Sequence, residues 1–155
     1  MLEKELLLQI KEEILKAEYD AYIKQGRHYD LANKLNDTDV VVDKPVLIST
    51  LNSFADANGL LLLLEDVRDD NTDKYLADVK KAVRSVLRVF IATYTTVDLK
   101  LPAVQWAFGT LVAANVLTQQ VVDGIYALGK VTVPLSVKKF GVRLSSSDIA
   151  DALKV

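Results

Sequence analysis

The sequence predicts an all-α fold, a compact bundle of about six to eight short-to-medium helices joined by extended linkers. Three observations lead there. Apolar residues recur at spacings of three and four through most of the 155 residues. In the last third, Pro102, Thr118 and the run Ser145 to Asp148 stand where helices begin. Gly26, Gly59 and Gly129 follow helical runs, where a stop is expected. A chain of this length reads as a single helical domain, 1–155, able to bury roughly two-thirds of its unfolded surface.

Taken in order, the first element spans Leu2 to Lys24, with Leu7, Ile10, Ile14 and Ala17 on one face and Gly26 as its stop. A short helix follows over His28 to Asn36, where Leu31 and Leu35 share a face. Asn36 to Asp39 is a turn cluster. Val40 to Val42 is strand-like, but Asp39 and Pro45 isolate it, so it is expected as extended chain against the core. Pro45 is expected to open a helix that buries Val46, Leu47, Leu51 and Phe54 and ends near Gly59. Leu60 to Arg68 is apolar at its front and reads as a short buried helix.

The acid-rich break from Asp69 to Asp73 precedes the strongest periodicity. Leu76, Val79, Val83, Val86 and Phe90 predict a long helix over Asp73 to Thr93, with carboxylates at the positive end of its dipole. Thr95 to Leu101 reads as an extended linker. Helices are then expected over Pro102 to Val116 and Thr118 to Leu128, with a stop at Gly129. Val131 to Pro134 reads as extended chain, Ser136 to Phe140 as about one helical turn, and Ser147 to Leu153 as a closing helix.

Composition narrows the chemistry. Half of the residues are hydrophobic and 26% are charged, with a net charge of −2, so no bulk attraction draws the chain to nucleic acid or an anionic membrane. Cysteine is absent and histidine occurs once, as His28. Disulfides, thiolate metal sites and cysteine nucleophiles are thereby excluded, and no histidine metal cluster is possible. The opening residues lack the basic-then-apolar order of a signal peptide, and the apolar run Leu60 to Leu64 is far shorter than a membrane span. A soluble protein without cofactor, metal or catalytic residue is the expectation, and no enzyme motif appears.

Residues singled out for contact are charged or aromatic. Lys80, Arg84 and Arg88 lie four apart on one face of the long helix, suited to phosphate or to a partner's acidic strip. Asp69, Asp70 and Asp73 are the opposite pole. Their spacing, with Glu65 and Asp66, does not match a calcium loop, and helix-end solvation accounts for them. Trp106, beside Phe108, reads first as a core residue and second as an interface anchor.

Two segments carry a resemblance. Glu18 to Asn36 (EYDAYIKQGRHYDLANKLN) and Val116 to Gly129 (VLTQQVVDGIYALG), continued by Leu135 to Leu153 (LSVKKFGVRLSSSDIADAL), are similar to the two ends of a loose group of small proteins encoded in tailed-bacteriophage genomes. Those open with a helix, a Tyr-and-Ala patch and a Leu-Asn close, and end with a Val-Leu-Thr start and an Asp-Ile helix. The match covers a third to a half of the chain. Lys138 and Lys139 depart from it, standing where acidic residues are usual.

The resemblance implies a virion structural or assembly protein, and it carries over no catalytic residue. A head-to-tail neck or connector ring is the expected place, with a tail or baseplate accessory as the near alternative. Partners would be portal, connector or tail proteins and further copies of the chain, in the virion or, during assembly, the host cytoplasm. In a ring, Lys80, Arg84 and Arg88 of one copy would meet Asp69, Asp70 and Asp73 of the next. A helical DNA-binding regulator, using Thr118 to Leu128 with Ser136 to Phe140, is the alternative of another class, and a small carboxylate enzyme a third.

Overall fold

The computed structural model describes residues 1–90 and 95–155. It is mostly helical, with 66% helix in ten α-helices among the described residues. The expectation of a pure all-α fold with six to eight helices is corrected by two two-stranded ribbons and by the larger number of helices. The chain groups into two compact units, Met1–Val42 with Thr132–Val155, and Asp43–Val131, where the sequence reading treats 1–155 as one domain.

The first unit contains α1 (Lys4–Ile14), α2 (Asp20–Lys24), α3 (His28–Asp37), α9 (Leu135–Phe140) and α10 (Ser146–Lys154). Leu7, Ile10 and Ile14 of α1, Leu31 and Leu35 of α3, and Ile149 and Ala152 of α10 form its core. The expected single helix to Lys24 is instead broken. Lys16 adopts an extended conformation and Ala17–Tyr19 form a 3-10 turn. Tyr19 is buried there while Ala17 faces solvent, so the aromatic ring, not the alanine, continues the apolar surface. Lys34 stands over the rings of Tyr19 and Tyr22, at 5.7 and 5.4 Å from their centroids.

Two polar devices fix this unit. Asn36 Nδ2 donates to Leu144 O (2.7 Å), while its Oδ1 accepts from Leu144 N (2.9 Å) and from the fully buried Ser136 Oγ (2.7 Å). Glu13, 8% exposed, accepts from Lys16 at 2.6 Å and from Lys139 at 3.0 Å. Burial pushes the Glu13 carboxyl up, but the two lysines outweigh it and hold it below the ordinary glutamate value. At the start of α10, Ser145 accepts from Asp148 N while the Asp148 carboxylate accepts from Ser145 N, closing a capping box.

The second unit contains α4 (Ile48–Ala57), α5 (Leu60–Asp69), α6 (Ala77–Phe90), α7 (Pro102–Ala113) and α8 (Gln119–Ala127). Leu51, Leu64, Val83, Phe108, Leu111 and Ile125 are fully buried at its centre. Pro102 opens α7 and the Thr118 hydroxyl caps α8, both as the sequence reading has them. The expected start of a helix at Pro45 is corrected: Val46–Leu47 form β2 and pair antiparallel with β3 (Thr96–Val97), Val46 opposite Val97. This is physically reasonable, because buried Val46 is β-branched and two extended residues precede the helix at Ile48. The linker expected from Thr95 therefore begins as a strand.

Strand β1 (Asp39–Asp43) pairs with β4 (Lys130–Pro134). Val40 to Val42 is thus a ribbon strand and not isolated extended chain; its partner lies almost a hundred residues on, beyond the reach of a local reading. The long helix starts at Ala77, and its expected end at Thr93 lies outside the described residues. Leu76 precedes it and is 77% exposed, so the buried seam begins at Val79. Asp73, at φ 57°, turns the chain just before.

One consequence is a pH dependence. A depressed carboxyl stabilises the fold above its unfolded value and loses that contribution as pH falls through the folded one. Glu13→Gln should therefore lower stability in urea most above pH 4.5, the ordinary glutamate value, and the gap to wild type should close steadily below it.

Candidate functional site

The residues singled out for contact all fall in the second unit, on α5, α6, α7 and the acid-rich turn between α5 and α6. Helix α6 buries Val79, Ala82, Val83, Val86 and Phe90, which leaves Lys81, Arg84 and Arg88 exposed along its other side. Helices α5 and α7 both pack on α6 and flank this strip. Arg68, from the last turn of α5, joins Arg84, Arg88 and the aliphatic Leu87 around a shallow cleft of about 150 Å³. Three guanidinium groups thus share one small volume.

Their partners differ. Arg68 makes a two-pronged contact with Asp69, Nε to Oδ1 at 2.8 Å and Nη2 to Oδ2 at 3.0 Å, which holds that carboxyl below its usual value. Arg84 and Arg88 have no ion pair among the described residues. Lys80 reaches the backbone carbonyl of Asp70, tying α6 to the turn before it. The Asp70 carboxylate accepts from both the hydroxyl and the amide of Thr72, and those bonds lower its carboxyl as well.

The sequence reading is therefore sorted by the structure. Lys80, Asp69 and Asp70 are engaged within their own chain, whereas Arg84, Arg88 and Asp73 carry no side-chain ion pair among the described residues. Trp106 is 43% exposed, which corrects its reading as a core residue. The two polar side chains of α7, Gln105 and Thr110, do not share one face of an otherwise apolar helix, so spacing alone did not reveal which aromatic turns inward. Phe108 does, and Trp106 lies under the Lys81 ammonium, 5.6 Å from the ring centroid.

A second feature of this unit was missed by the sequence reading. A cleft of about 340 Å³ is lined by Asp43 and Pro45, by Leu99 and Lys100 beyond β3, by Gln105 of α7 and Tyr126 of α8, and by Lys130. Asp43 accepts from two lysines, Lys100 at 2.5 Å and Lys130 at 3.5 Å, and Lys100 is the main cause of its lowered carboxyl. Tyr126 packs edge-on against Phe108, with ring centroids 5.8 Å apart, and burial raises its phenol. The three charged residues lie 87 positions apart at the extremes, so no local motif announces them.

Gly129 builds the wall of this cleft. Helix α8 ends at Ala127 with Leu128 as its cap, so Gly129 stands just past the stop as expected, though without a left-handed conformation. Its role is close approach: a Cβ there would lie 3.0 Å from Lys44 O and 3.3 Å from Val46 Cγ2. Lys44 N also donates to Gly129 O at 2.7 Å, so neither backbone segment is free to retreat.

Compared with known protein families, curated proteins and solved structures, the chain matches none. Among the described residues, no three acidic or histidine side chains converge on a point where a metal ion would sit.

Gly129→Ala tests the wall directly. Overpacking against two held backbone segments should cost about 1–3 kcal/mol in urea denaturation, without loss of helical signal.

Proposed function

We propose that the protein is a non-enzymatic structural or assembly protein of a tailed-bacteriophage virion. Its place is the head-to-tail neck or connector region, and it acts through contacts with further copies and with portal, connector or tail proteins. The observation that supports a contact role is the outer face of α6. Arg84 and Arg88 stand there without an ion pair among the described residues, and Lys81 of the same helix lies over the half-exposed Trp106 of α7. A face carrying unneutralised arginines and an open tryptophan has the composition of an interface centre, where those two residue types are enriched. The similarity of the two chain ends to small tailed-phage proteins supplies the virion setting.

The acidic side of the contact is narrower than the sequence reading has it. Asp69 and Asp70 have bonds within their own chain, leaving Asp73 with the exposed Glu65 and Asp66 of α5 as complement on a neighbouring copy. A repeated contact between two different patches of one chain is head-to-tail and closes a ring when the rotation permits. A tail or baseplate accessory role uses the same face and remains the nearer alternative. The helix-turn-helix reading is disfavoured by the geometry, since strand β4 separates α8 from α9 and the two helices belong to different units.

Light scattering over a concentration series, alone and with portal or connector protein, measures the contact. The wild type should form a closed ring or join one, while Arg84→Glu with Arg88→Glu should weaken association by about tenfold or more with an unchanged melting curve. Unaltered assembly of the double variant would remove the basis for this reading.

A further inference from the structure

The Lys100–Asp43–Lys130 cleft is separate from the α6 face, and its chemistry points to a ligand. Two ammonium groups share one carboxylate, so the trio carries one positive charge more than Asp43 neutralises. The other acid of the cleft, Asp98, is turned to its own loop, where Oδ1 accepts from Lys100 N at 2.9 Å. Lys130 contacts Asp43 only at 3.5 Å, a length at which little of a direct hydrogen bond remains. A second carboxylate entering between the two lysines would complete the pairing that Asp43 leaves unfinished.

The rest of the lining suits such a ligand. Gln105 and Tyr126 offer an amide and a phenol for polar atoms next to the carboxylate, and Pro45 with buried Leu99 offers an apolar wall. About 340 Å³ lies in the range of pockets that hold small ligands. The cleft is also stiff: the Gly129–Lys44 contact and the Tyr126–Phe108 packing fix two of its sides before anything binds. Preorganisation of this kind reduces the ordering that binding must otherwise impose.

We propose that this cleft is a carboxylate-binding site, in which Lys100 and Lys130 clamp the ligand carboxylate and Gln105 and Tyr126 receive the adjoining polar group. Asp43 acts there as an internal competitor, bonded closely to Lys100 and only weakly to Lys130. The carboxylate can arrive on a free organic acid or at the end of a peptide, and the chemistry at the lysines is the same. The inference does not depend on the virion reading.

Heteronuclear NMR of the full chain, titrated with three probes, tests it: succinate, N-acetyl-trialanine with a free terminal carboxylate, and the same peptide as its terminal amide. Saturable shifts at Lys100, Gln105 and Lys130 are expected with a carboxylate probe and not with the amide. Preference for succinate identifies a free acid as the source, and preference for the peptide acid identifies a chain end. Lys100→Met and Lys130→Met should each weaken binding by about tenfold, the loss of one charge-assisted contact. Asp43→Asn should strengthen it several-fold, a gain that a purely structural salt bridge would not give. Absence of saturable shifts with both acids, equal binding of acid and amide, or indifference to the lysine variants would each overturn the proposal.

Discussion

The first unit depends on one side chain, the amide of Asn36. It meets Leu144 with a donor and an acceptor, in the manner of a backbone partner, across 108 positions of sequence. Its oxygen also takes the hydroxyl of buried Ser136. The unit is made from the two ends of the chain, and closing so long a loop costs entropy before any contact is gained. Apolar packing of α1, α3 and α10 repays that cost without fixing the docking, whereas the amide, satisfied only in one arrangement, sets the relation of α3, α9 and the start of α10. A half-satisfied amide in that position would be costly.

In the second unit the corresponding constraint is steric. Gly129 lets the start of β4 lie on Lys44 O and Val46, and a Cβ added at Gly124 would come within 2.8 Å of Phe54 Cζ, so that ring would have to shift. Close backbone approach draws Asp43, Lys100 and Lys130 to one cleft and fixes the ribbon strand that carries Val46. The α6 face arises differently: a strongly amphipathic helix buries its valines and must display whatever lies opposite, here lysine and arginine. One surface feature thus follows from a single helix, and the other from segments far apart in sequence.

Local grammar accounts for much of what was legible. Pro102, Thr118 and Ser145 with Asp148 act through bonds or torsions within four residues, and the structure places them as helix starts. The long seam from Val79 to Phe90 is likewise a local periodicity. Errors cluster where local rules compete. Pro45 fits a helical first turn as well as a strand start, and Ala17 satisfies helical spacing as well as Tyr19 satisfies burial. Trp106 and Phe108 sit on a mostly apolar helix with no continuous polar stripe, so spacing carried no direction.

By itself, then, the sequence determined the helices with strong caps, the basic strip on α6 and the absence of any cysteine or histidine cluster chemistry. These are properties of composition and of residues within a few positions of one another. Tertiary structure alone decided that β1 pairs with β4, that the chain ends share one core, and that Asp43 lies between two lysines. Each of those depends on contacts between residues far apart in the chain. Such contacts are chosen by the packing of whole elements and by the backbone approaches that single glycines permit, which no window of sequence contains.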